Sequence, residues 1–139
     1  MRQASEILRF ETARQGLLEV TADVGRWVAD QKIQNGLLTV FCRHTSASLL
    51  IQENAAATAR EDLERFFAAL APEAPERYAH DDEGPDDMPA HLRSALTQTQ
   101  VSLPVMNGAL ALGVWQGLFL FEHRRGRHVR ELALHLLGE

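Results

Sequence analysis

The amino-acid sequence predicts an α+β fold, a β-rich twisted antiparallel sheet or sandwich with helices packed on one side. Three observations carry that expectation. Apolar segments with strand periodicity group toward the two ends of the chain, helical periodicity is confined to the middle, and an Asn-Gly pair at 107–108 separates two apolar runs. Strands grouped in this way argue against the regular alternation of a parallel βαβ sheet.

Residues 3–10 and 17–20 read as strands separated by a turn at Arg14-Gln15-Gly16. Thr21 is placed to cap a helix carrying Val24, Trp27 and Val28 on one stripe, and Asn35-Gly36 to stop it. Residues 37–43 form a strand in which Leu38, Val40, Cys42 and then His44 share a face. A short strand over 48–52 leads to Asn54, read as the N-cap of a helix with Leu63, Phe66, Phe67 and Leu70 at i, i+3, i+4 and i+7. Residues 71–88 hold three prolines and seven carboxylates and must run over the surface. At about 18 residues this loop exceeds the roughly 12–15 of a passive connection, which marks it as functional or disordered. Pro89 suits the first turn of a short helix with Leu92 and Leu96 facing inward, and if that turn includes Asp87, Asp87 and His91 share a face. The remainder reads as strands over 101–105, 110–112, 115–122 and 129–137, with a hairpin turn at Asn107-Gly108 and a basic hairpin turn over 124–127.

The length of 139 residues suits one domain, 1–139. A hydrophobic share of 45% and a charged share of 24% indicate neither a disordered nor a membrane class. A net charge of −5 argues against a nucleic-acid module, because phosphate neutralisation needs surplus Lys and Arg. Cys42 is the only cysteine, so no intrachain disulfide forms and the cytoplasm is the expected compartment. The first ten residues lack the apolar stretch of an export signal, and no run approaches the roughly 18 apolar residues of a spanning helix.

Most chemically capable side chains lie in three segments, 44–54, 78–91 and 112–123. His44, His80 and His91 are candidates to converge on one divalent metal, with Asp81, Asp82, Glu83, Asp86 and Asp87 as oxygen ligands or acceptors for the imidazoles. Several imidazoles favour zinc; a carboxylate-dominated set favours manganese or magnesium. No HExxH or CxxC spacing is present, so the alternative is a set of solvated histidines in an acidic loop. Thr45, Ser46 and Ser48 lack a G-x-S-x-G elbow and suit turn formation or ligand hydrogen bonding better than nucleophilic attack. Cys42 reads as an inert buried thiol. At Trp115-Gln116-Gly117 the glycine marks either a close approach by ligand or backbone, or a β-bulge. Arg124, Arg125 and Arg127 could hold a phosphate, although basic turns are usually solvated, and His128 and His135 read as ordinary strand residues.

The segments HTSASLLIQENA, YAHDDEGPDDMPAHLRSAL and LPVMNGALALGVWQGLFLFEHR resemble, in this order and spacing, the YjbQ family, also described as secondary thiamine-phosphate synthases. The likeness spans residues 36–139 well and the first 35 more loosely. It implies a homotrimer of compact β-rich α+β subunits, with a cleft near the subunit contacts. It also implies a metal site on His44, His80 and His91. Read as an enzyme of phosphorylated small molecules, the chain carries catalysis on the same three histidines, with Thr45, Ser48, Asn54, Asp87 and Gln116 as the expected substrate-binding residues. The implied activity is a weak thiamine phosphate synthesis, in which hydroxymethylpyrimidine diphosphate and thiazole phosphate are joined with loss of pyrophosphate. A non-catalytic trimeric ligand-binding module and a metal-dependent hydrolase remain as alternatives. Val114 stands where the family usually carries threonine, so a hydroxyl is missing from the Gly113–Gly117 segment.

Overall fold

The strands sort into two antiparallel sheets, and the alternation of side chains along each strand supplies the apolar layer between them. The computed structural model describes all 139 residues. Its elements are β1 (Arg2–Thr12), β2 (Gly16–Glu19), α1 (Thr21–Asp30), β3 (Asn35–Cys42), β4 (Ala47–Glu53), α2 (Ala57–Leu70), α3 (Asp87–Leu96), β5 (Gln100–Met106), β6 (Ala109–Leu110), β7 (Gln116–Glu122) and β8 (His128–Gly138), with a 3₁₀ turn at Pro75–Arg77. One sheet has the order β1-β8-β3-β5-β6 and the other β2-β7-β4. No helix is long and apolar enough to cross a membrane.

Leu38, Val40 and Cys42 of β3, Leu103 of β5, and Leu132, Leu134 and Leu136 of β8 face Leu49 of β4 and Leu118 and Leu120 of β7, while α1 adds Val24 and Val28. Each buried Leu or Val contributes about 1.5–3 kcal/mol. A second apolar layer lies on the outer face of the small sheet, where Leu17, Phe119 and Phe121 pack under Leu63 and Phe67 of α2. β7 is therefore covered on both faces, which accounts for its unbroken run Leu118–Phe121. Of the helical stripe expected for α2, Phe66 and Leu70 remain more than half exposed.

Several local expectations are corrected. Thr21 caps nothing; its hydroxyl accepts from the Leu118 N–H and donates to Glu19, which ties the start of α1 to β7. α1 ends at Asp30, followed by Lys32 with φ of 58°, so Asn35 and Gly36 belong to β3. Asn54 does not cap α2, because the Glu53 carboxylate accepts from the Ala55 and Ala56 amides and the helix begins only at Ala57. Leu96 points outward at 61% exposure, and the buried face of α3 is Asp87, Pro89, Ala90 and Arg93. The Asn107-Gly108 hairpin forms as expected between β5 and β6, with both turn residues at positive φ.

Gly117 follows neither of the readings offered for it. The pairing of β4 with β7 runs without interruption from Ala47↔Glu122 to Glu53↔Gln116, so no bulge exists. The space is filled by the chain itself, since a Cβ on Gly117 would lie 2.5 Å from Glu19 Oε2 and 3.0 Å from Asn54 Cβ. Gly117→Ala is expected to lower stability by about 1–3 kcal/mol through overpacking. Chemical denaturation measures this, and a wild-type midpoint would show that the Glu19 side chain moves aside freely.

The connections β1→β2, β3→β4 and β7→β8 each pass from one sheet to the other. The pairings Gly16↔Glu122 and Ala47↔Glu122 set their ends side by side. The turn over 124–127 is accordingly a crossover between sheets and not a hairpin, which leaves Arg124 free to reach across the rim.

Candidate functional site

α3 begins at Asp87, so Asp87 and His91 stand one turn apart on one face. The loop before it brings His80 and Glu83 to the same place. One ligand atom each from His80, Glu83, Asp87 and His91 lies within 4.8 Å of every other. His80 Nε2 is 2.9 Å from Asp87 Oδ2 and 3.4 Å from Glu83 Oε2, and His91 Nε2 is 3.2 Å from the same Asp87 Oδ2.

The orientation of the His91 ring is set from outside the cluster. His91 Nδ1 is 3.1 Å from the Thr45 carbonyl oxygen, which can only accept, so Nδ1 carries hydrogen and Nε2 of the neutral ring presents its lone pair to the carboxylate. Two acceptors at 3.2 Å repel unless a proton or a metal cation lies between them. Arg124 holds the other end of Asp87 by donating Nη1 to Oδ1 at 3.0 Å, and its Nε donates to Asp86 Oδ2 at 3.0 Å. Burial pushes the Asp87 carboxyl up, but His80, His91 and Arg124 outweigh it and hold it below its usual range. The hydrogen bond to Asp87 in turn pushes the His80 imidazole above its ordinary value. Two imidazole nitrogens and two carboxylate oxygens, oriented by a carbonyl and a guanidinium, form a donor set that fits zinc or manganese.

His44, the third imidazole of the expected trio, stays outside this group of ligand atoms. β3 ends at Cys42, and the following turn lays His44 against β8, where its Nε2 accepts the Glu131 N–H at 2.7 Å. Thr45 is exposed, and its carbonyl serves His91. Ser48 is 1% exposed and cannot meet a substrate. Asn54 and Gln116 sit at the opposite end of the small sheet, seven residues from Ala47 and six from Glu122 respectively. At roughly 3.3 Å per residue they lie about 20 Å from the histidine end. Gln116 instead closes its own loop by accepting the Gly113 amide, and Asn54 donates to Glu19. Residues on the same strand pair thus serve different ends of it, and Asn54 and Gln116 do not join the histidines within one subunit.

Beneath the site lies a buried polar layer. Glu122 and Arg130 are 0% and 6% exposed and bond through two contacts, while Thr12 donates to Glu122 Oε1 and the Arg124 amide to Oε2. Burial pushes the Glu122 carboxyl up, yet the bonds from Arg130, Thr12 and the Arg124 amide hold it below its ordinary value. Arg130 also donates to the Ser46 carbonyl and hydroxyl, so it anchors the crossover that carries His44 and Thr45. His123, fully buried, contacts Ser48 through Nε2 at 2.8 Å; Ser48 contacts Thr97, whose hydroxyl donates to the Arg93 carbonyl. Each hydroxyl has one proton, so all three contacts are met only if His123 Nε2–H donates to Ser48 and Ser48 to Thr97. Burial, with Arg93 and Arg130 nearby, lowers the His123 pKa to about 3 and keeps the ring neutral.

A family model described as UPF0047 protein YjbQ-like matches residues 6–139. The chain belongs to this family. It is 51% identical over 138 residues to UPF0047 protein sll1880 of Synechocystis sp., covering 99% of this chain and 94% of that protein. With UPF0047 protein YjbQ of Escherichia coli O157:H7 it shares 40% identity over 133 residues, 95% of this chain and 96% of the other. The crystal structure of a YbjQ-like protein of unknown function from Sulfolobus solfataricus P2 superposes with a TM-score of 0.90 at 26% identity, covering 99% of both chains. The conserved hypothetical protein TT1486 from Thermus thermophilus follows at 0.83 and 36%, covering 95% of this chain and 99% of that one.

Within this YjbQ-like chain, sequence reasoning missed Arg124 as an orienting group, the Glu122–Arg130 pair and the buried His123. A weak signal for Arg124 was present, because an acidic loop of seven carboxylates needs cations and the chain has few nearby in sequence. Nothing in the sequence marks the others, whose partners lie 8 to 110 residues away.

Proposed function

We infer that the chain is a metal-dependent enzyme of phosphorylated small molecules, with thiamine phosphate synthesis as the reaction to which the family resemblance points. The observation that supports this most is the pair of imidazole Nε2 atoms aimed at one carboxylate oxygen, with the His91 tautomer set by the Thr45 carbonyl. His80, Glu83, Asp87 and His91 would hold the ion, zinc first and manganese or magnesium as alternatives. When bound there, a divalent cation supplies neutralisation of the charge that develops on departing pyrophosphate. Arg124 keeps Asp87 aimed, and the crossover at 43–46 walls the site on the side of β8. Self-association as a homotrimer belongs to the same reading, supported by Leu37, Phe41, Val129 and Leu137, which stand 42–55% exposed on the outer face of the large sheet. A cytoplasmic location is part of it as well.

The test is formation of thiamine phosphate from hydroxymethylpyrimidine diphosphate and thiazole phosphate by purified protein, before and after chelation and in His91→Ala. A fall of about 100-fold or more in both cases is expected, the order associated with loss of positioned electrostatic stabilisation. Phosphate release from single substrates without coupling would mark a hydrolase instead. Rates indifferent to chelation and to His91→Ala would overturn the metal-dependent reading.

A further inference from the structure

Beside the metal-type cluster, sharing His91 with it, lies an open cavity of about 610 Å³. Its polar lining is Arg43, His44, Thr45, His91, Ser94 and Thr99, and no carboxylate is among its nine lining residues, in a chain whose net charge is −5. The charge at its rim is positive. Glu131 neutralises Arg43 only in part, because the same carboxylate also pairs with Arg9, each contact being 3.0 Å.

The protonation of His44 follows from a single contact. A backbone amide can only donate, so the Glu131 N–H at 2.7 Å requires a lone pair on His44 Nε2 and places the hydrogen of the neutral ring on Nδ1. Nδ1 makes no hydrogen bond within the protein and is not sealed from solvent. Burial, with Arg130 nearby, holds His44 below the ordinary imidazole value, which favours that neutral form. With Nε2 occupied, His44 offers the cavity a fixed N–H donor, flanked by a guanidinium and the hydroxyls of Thr45, Ser94 and Thr99. Ser94 donates to the Ala47 carbonyl and retains acceptor capacity only, so His44 and Arg43 are the nitrogen donors of the cavity, with the Thr45 and Thr99 hydroxyls beside them.

We propose that this cavity is a phosphoryl subsite, in which His44 Nδ1–H and the Arg43 guanidinium bind the oxygens of a phosphate or diphosphate group carried by a small molecule. His44 is then a specificity residue of the substrate site and not a ligand of the ion. The placement rests on the metal-enzyme reading only for what occupies the far side of His91; anion binding in the cavity stands without it.

The test uses the full chain stripped of metal by chelation and inorganic pyrophosphate as the probe, followed by calorimetry and ³¹P NMR. The metal-free wild type is expected to bind pyrophosphate. His44→Phe and Arg43→Gln are expected to bind about tenfold or more weakly, as for loss of one hydrogen bond to a charged group. His44→Gln, which keeps an N–H donor, should recover part of the loss, and ¹⁵N NMR should show His44 protonated at Nδ1. Zinc stoichiometry should be unchanged in His44→Phe, with melting curves confirming that each variant is folded. Undiminished pyrophosphate binding in His44→Phe, no binding by the metal-free wild type, or loss of zinc from a folded His44→Phe would each overturn the subsite. Absence of zinc binding with pyrophosphate binding intact would remove the metal reading and leave the subsite standing.

Discussion

Glu122→Ala is expected to destabilise the fold by about 3–5 kcal/mol, because it leaves the Arg130 guanidinium buried and unpaired. For a chain of this length that corresponds to a fall in Tm of about 10–20 °C. The effect arises from what the surroundings have been built to satisfy. Glu122 is fully buried, its oxygens are shared among Arg130, Thr12 and the Arg124 amide, and removing it leaves Arg130 Nε and the Arg124 amide without their acceptor. The double variant Glu122→Leu with Arg130→Met should recover much of the loss, since replacing both members of a buried pair by apolar groups is often neutral. The pH dependence has a definite sign. Glu122 has a depressed value in the folded protein, so its stabilising contribution is fully present above the ordinary glutamate value and is lost as pH falls through the folded one. Acid denaturation of wild type and Glu122→Ala followed by circular dichroism measures this: the gap between the two should narrow at low pH. A gap that is constant with pH would show that the carboxylate charge contributes nothing.

The second large effect concerns the proposed metal site. Asp87→Asn is expected to weaken zinc binding by at least about 100-fold, the upper end of what loss of an outer supporting group costs, because this substitution alters a group that faces both imidazoles directly. Arg124→Ala removes the group that aims Asp87 and should cost about 10–100-fold. Competition against a chromophoric zinc chelator gives both values. Equal affinities in wild type and Asp87→Asn would place the ion elsewhere.

The strands were legible because their side chains alternate with period two, and the hairpin at Asn107-Gly108 because only certain residues tolerate two successive positive φ angles. Sheet membership was not legible. The Arg124–Arg127 turn and the 43–46 turn have the chemistry of hairpin loops, yet both cross between sheets, a choice made by the core and not by the turn residues. Much of the site depends on that choice, since the crossover at β7→β8 delivers Arg124 to Asp87 and the one at β3→β4 delivers Thr45 to His91. The i, i+4 relation of Asp87 and His91 could be read in advance from helix geometry. The separation of His44 from them could not, because it turns on one amide of β8, 87 residues away. Caps misled for a related reason. Thr21 and Asn54 are good capping residues, but each found a tertiary partner, Leu118 and Glu19 respectively, that took its side chain from the helix end.

The most direct measurement is anomalous diffraction at the zinc absorption edge from crystals of the zinc-loaded protein. One peak per chain is predicted, within about 2.0–2.2 Å of His80 Nε2, His91 Nε2 and an oxygen of Asp87, with His44 still accepting from the Glu131 amide. A peak coordinated by His44, or no peak between His80 and His91, would contradict it.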